Sequence, residues 1–107
     1  MAIIAKVLKE ALLTATLTDT QYTAPTLTRS FMRQCSVMNS TSGVVSVVVK
    51  AKINSGGTFR TILTRNLAVN ETYLCPEVLN LGLEAGGVIE FSGLNLELYL
   101  TGLEVTT

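Results

Sequence analysis

Histidine and tryptophan are absent from this 107-residue chain, 6% of its residues are aromatic and only 15% are charged. Without histidine there is no Ser-His-Asp triad, no imidazole general base and no imidazole metal ligand. The two cysteines, Cys35 and Cys75, have neither CxxC spacing nor histidine companions, which argues against zinc and leaves free, buried thiols as the expectation. No apolar run approaches the roughly 20 residues of a membrane helix. No basic segment followed by a signal-type apolar stretch opens the chain, so it reads as made and kept in a reducing cytoplasm until assembled.

Motifs that announce catalysis are also missing: there is no GxSxG, HExxH, P-loop or dinucleotide-binding glycine pattern. Gly82 to Gly87 is glycine-rich but lacks the GK[ST] ending of a phosphate cradle and reads as a turn between strands. Two carboxylates come within reach if Val88–Phe91 and Leu94–Tyr99 form a hairpin, namely Glu90 and Glu97. The competing reading makes both of them solvated outward positions, and no tryptophan is present to stack a sugar. Arg29, Arg33, Lys50 and Lys52 form at most a modest basic strip, read as a solvated or inter-subunit face rather than a nucleic-acid platform. The chain therefore reads as non-enzymatic, with no cofactor, no metal, no nucleic-acid partner and no membrane partner.

What the sequence has in quantity is β-branched residues, with 15 threonines and many valines, in a chain that is 48% hydrophobic. These side chains lose little rotamer freedom on a pleated sheet. Leu27 to Met38 reads as a strand, with Arg29 and Arg33 sharing a face with Phe31, Cys35 and Val37. That mixture predicts an outer strand or a bulge. Asn39 to Gly43 is a turn. Val45, Val47, Val49, Ala51 and Ile53 then alternate with Val44, Ser46, Val48, Lys50 and Lys52, and Asn54-Ser55-Gly56-Gly57 closes a hairpin into Thr58–Leu67. Leu94, Leu96, Leu98 and Leu100 alternate with polar residues, after which Gly102 is expected to break the phase, because Leu103 and Val105 continue on the other parity.

The opening is ambiguous. Ile4, Val7, Leu8, Ala11 and Leu12 share a helical face, yet the alternating threonines from Thr14 to Thr20 favour extended chain, so helix and strand both stay open for residues 2–13. The whole predicts an all-β fold over residues 1–107, a single antiparallel β-sandwich of six to eight short strands, immunoglobulin-like or jelly-roll in type, with residues 1–25 as an N-terminal strand or arm. All eight basic residues lie between Lys6 and Arg65, whereas Glu71, Glu77, Glu84, Glu90, Glu97 and Glu104 follow with no cation among them. Either strands from the two halves interleave and mix these charges, or opposite patches dock neighbouring copies.

Four elements, in order, resemble a family of small bacteriophage virion proteins with a β-sandwich fold. Ala5-Lys6-Val7-Leu8 with Leu13 is similar to the family's opening, and Tyr22-Thr23-Ala24-Pro25 to its "YTAP" or "YTVP" element. Val37-Met38-Asn39-Ser40-Thr41-Ser42-Gly43 resembles its "LxNTSG" turn, and Asn70-Glu71-Thr72-Tyr73 with Leu83-Glu84-Ala85-Gly86 its "GETY…LEAGD" ending. The departures are Asn70, where the family often has Gly, and Gly87, where it often has Asp; both read as loop positions. The resemblance spans nearly the whole chain and favours a strand for the opening. It implies a structural virion component, assembled in the host cytoplasm: a head-decorating or cement protein, or alternatively a neck, tail or baseplate protein.

The partners so implied are further copies of the chain and other virion proteins, the major capsid protein or neck and tail proteins. A mean hydropathy of +0.44 with few charges predicts apolar surface to bury on such partners. Val44, Val48, Tyr99 and Leu103 are the candidates for it, against ordinary packing under a loop. The rival class is a glycan-adhesive module on a fibre, for which only Tyr22, Tyr73 and Tyr99 supply aromatic surface.

Overall fold

The computed structural model describes residues 2–106; Met1 and Thr107, the ends of the single domain read from the sequence, lie outside the described residues. It is an all-β sandwich of two antiparallel sheets. The first sheet is ordered β1 (Ala2–Leu12), β9 (Glu97–Thr106), β3 (Thr28–Met38), with the short β6 (Thr72–Tyr73) and β7 (Gly82–Leu83) sharing the far edge of β3. The second is ordered β2 (Gln21–Thr23), β8 (Val88–Ser92), β4 (Val45–Lys52), β5 (Arg60–Leu67). Nine strands occur among the described residues; the two-residue β7, inside the stretch that reads as a turn, is too brief to leave an alternation in the sequence.

The opening is a strand. Its apparent helical face arises from a bulge at Leu8, since β1 pairs with β9 from Ala2↔Thr106 to Val7↔Thr101 and resumes at Lys9↔Leu100. Both faces of the strand carry apolar residues, and one extra residue between them converts a period of two into a spacing that mimics 3.6. A matching bulge at Arg33 in β3, between Met32 and Gln34, explains the mixed arginine face. Thr28, Ser30 and Met32 point inward before it, Cys35 and Val37 after it. The outer-strand alternative fails, because β3 lies between β9 and the β6/β7 edge.

Gly102 does not break the phase of β9. Inward positions run without interruption through Leu98, Leu100, Gly102 and Glu104, while Leu103 and Val105 face outward. The irregularity sits in the two neighbours, whose bulges flank this point. A side chain at Gly102 would place its Cβ 2.2 Å from the Phe31 carbonyl oxygen and 2.7 Å from Leu8, so only glycine allows the three strands to close here. Leu94 lies in the turn before β9 and is exposed, unlike the buried Leu96, Leu98 and Leu100.

The core lies between the sheets. Val47, Val49 and Ala51 project into it from β4 and meet Ile89 and Phe91 of β8, Met32 and Val37 of β3, Leu67 of β5 and Leu100 of β9. Fully burying such a side chain is worth roughly 1.5–3 kcal/mol. The Asn54–Gly57 turn forms as read, Gly57 N–H donating to Asn54 O at 3.0 Å. Asn39 is more than a turn residue. It is fully buried, and its amide donates to Gly43 O and Leu67 O, both at 2.9 Å, while its Oδ1 accepts from Thr41 N–H and Thr41 Oγ1. The turn is thereby tied to the end of β5, with every polar group of the buried amide engaged.

The two family departures differ in consequence. Asn70 sits at φ 65°, where glycine and asparagine are both at home. Gly87 is structural: a Cβ there would lie 2.5 Å from the Ile53 carbonyl oxygen, so this position concerns the fold and not merely a loop surface.

Candidate interaction surface

Sheet register and burial decide which residues point out of the sandwich. On the outer face of the first sheet, Val105 lies between Ile3 and Arg29 and Leu103 between Ala5 and Phe31, while Val7 pairs with Thr101, Glu10 with Tyr99, and Leu12 with Glu97. At the Ile3 end this face is apolar on β1 and β9 with Arg29 at its β3 border, and it is polar toward Glu97. The outer face of the second sheet carries Ser46, Lys50, Thr64, Asn66 and Ser92 around a single half-buried Val48.

The four interface candidates therefore do not share one surface. Tyr99 and Leu103 lie on the outer face of the first sheet, Tyr99 at its polar end beside Glu10 and Leu103 at its apolar end between Ala5 and Phe31. Val48 is on the opposite side of the molecule, and the exposed Val44 ends the loop before β4.

Sequence reasoning missed the most exposed apolar element, β1 itself. Of its eleven residues only Leu8 is buried, while Ile3, Ile4, Val7 and Leu12 are 63%, 49%, 42% and 59% exposed. The cause is geometric. β1 pairs with β9 alone and forms the edge of its sheet, and the edge strand of the opposing sheet, β2, is only three residues long. Ile4 faces inward beside Glu104 but has no strand above it, so both faces of residues 2–7 are open. An apolar run legible in both periods was the available signal.

A polar clasp fastens this edge to the rest of the sandwich. The Tyr22 hydroxyl of β2 donates to the buried Glu104 carboxylate of β9 and shares a 2.7 Å hydrogen bond with Ser30 of β3. Lys6 of β1 completes the cluster at 3.3 Å from Glu104 Oε1. Burial first, then the hydrogen bond to the Glu104 carboxylate, pushes the Tyr22 hydroxyl well above the usual phenol range. Lys6–Glu104, together with Arg65–Glu71 at 3.5 Å, joins cations of the first half to anions of the second, so the segregated charges do interleave. Glu71 is held below the usual carboxylate range by the Ala68 N–H and then by Arg65.

The two carboxylates considered for chemistry are not brought together as a hairpin pair, because β8 and β9 belong to different sheets. Glu90 is buried, not solvated, and accepts from Gln21 Nε2 at 3.2 Å; Glu97 is exposed opposite Leu12 and Met38. Cys35 and Cys75 are free and fully buried. The hydrogen bond to Cys75 and then burial raise the Cys35 thiol far above its ordinary range, which suppresses the thiolate that reactivity requires. Among the described residues no group of three or more Cys, Asp or Glu side chains is arranged to hold a metal ion. Comparison of the sequence with protein-family models and with curated proteins gives no match in either.

Proposed function

We propose that this protein is a non-catalytic structural subunit that works by repeated protein–protein contact, as a component of a bacteriophage particle and in the first place as a head-decorating or cement protein. The observation that carries the reading is the open β1 edge, whose Ile3, Ala5 and Val7 continue into Leu103, Val105 and Phe31 on one outer face. Contiguous apolar surface of this kind is what monomeric proteins avoid and assembling ones retain. The particle context rests on the ordered motif series from Ala5 to Gly86. In this role the clasp and the buried Asn39 keep the sandwich rigid, so that its outer faces are presented in a fixed shape.

Quantitative mass spectrometry of purified particles tests it. Hundreds of copies per particle are expected for a head protein; a dozen or fewer would move it to the neck, tail or baseplate. Absence from the particles would overturn the virion reading.

A further inference from the structure

We infer that residues 3–7 of β1 pair with the same residues of a second copy, antiparallel about a two-fold axis at Ala5, so that the two five-stranded sheets become one continuous sheet. The inference rests on the assembly reading only in taking another copy of this chain as the occupant. Every other sheet edge is short or charged. β2, β6 and β7 have two or three residues, and β5 carries Arg60 and Arg65. Among the described residues β1 is the longest edge, eleven residues against eight in β5, and an edge strand's outward N–H and C=O groups are satisfied by another extended strand. Lysine on an edge ordinarily guards it against such pairing, but the Lys6 ammonium is drawn to Glu104.

The register follows from self-complementarity. With Ala5 on the axis, Ile3 of each copy faces Val7 of the other and Ala5 faces Ala5, all on the outer face, while Ile4 faces Lys6 on the inner. No like charges meet. Centring on Lys6 would oppose two ammonium groups, and centring on Ile4 would place Ala2 against Lys6 and Ile3 against Ala5, so that Ile3 no longer meets Val7. The bulge at Leu8 bends the strand and ends the flat segment just beyond this stretch. A two-fold contact of this type consumes the edge it uses, so it closes at a dimer instead of propagating a fibre.

An Ala5→Cys variant tests the register directly. Opposed residues of an antiparallel pair have Cα atoms about 4.5–5.5 Å apart, within the span of a disulfide. Under oxidised glutathione, which takes the two electrons and two protons of the paired thiols, Ala5→Cys should yield at least about tenfold more covalent dimer than Val69→Cys, an exposed position far along the chain. The native Cys35 and Cys75 are fully buried and stay silent. In sedimentation the wild-type chain should run as a dimer, and the Ile3→Lys/Val7→Lys double variant as a folded monomer with an unchanged circular dichroism spectrum. Self-association of the wild type without preferential Ala5→Cys crosslinking would overturn the edge pairing while leaving assembly through another face. A wild type that stays monomeric at all concentrations yet occurs in particles would overturn the second copy as occupant and leave the particle role standing.

Discussion

β1 and β8 make an instructive pair. Both are rich in isoleucine, valine and other apolar residues, yet all five residues of β8 are buried, including Glu90 and Ser92, whereas only one of eleven in β1 is. β8 lies inside its sheet, and its outward side chains are walled in by Gln21 of β2 and by Val48 and Lys50 of β4. β1 is an edge facing a three-residue strand, so its isoleucines leave most of their burial energy unrealised. Place in the sheet order, not hydropathy, decides which apolar strand is buried in the sandwich and which is left exposed.

Substitutions in the two regions should therefore diverge, and the contrast breaks down if they do not. Phe91→Ala in β8 removes a fully buried ring and should cost about 3–5 kcal/mol in denaturant unfolding. Asn39→Ala removes the donors to the Gly43 and Leu67 carbonyls and the acceptor of the Thr41 N–H, and should cost about 1–3 kcal/mol by the same measurement. Tyr22→Phe loosens the clasp at β1 by about 1–2 kcal/mol and has a pH signature. In the unfolded chain Tyr22 ionises near its ordinary value of about 10, while the fold holds it neutral to higher pH. Its contribution is thus complete below pH about 10 and is lost as pH rises beyond that, a loss absent from the Phe variant. Cys35 and Cys75 should resist iodoacetamide in the native state and react only in denaturant; native labelling at the unfolded rate would contradict the buried pair. Ile3→Ser should change unfolding free energy by no more than about 0.5 kcal/mol while weakening self-association.

Much of the sandwich was legible because alternation survives wherever a strand is regular. Val47, Val49 and Ala51 in β4, the Asn54–Gly57 turn and the arginine-marked bulge of β3 all follow from period-two logic and turn chemistry. The failures share one cause, which is that burial of an outward residue depends on neighbours distant in sequence. Glu90 reads as solvated by its alternation and is enclosed by strands from elsewhere in the chain. Gly102 reads as a phase break in its own strand, whereas the extra residues belong to β1 and β3. The outward position of Leu103 was legible, and its neighbours on β1 were not, because one inserted residue at Leu8 gave the strand a helical look.

Amide hydrogen exchange across a dilution series tests the contrast most directly. A peptide covering residues 2–7 should gain protection as protein concentration rises, while one covering Val88–Ser92 should be protected at every concentration. Protection of residues 2–7 that does not change with concentration would contradict it.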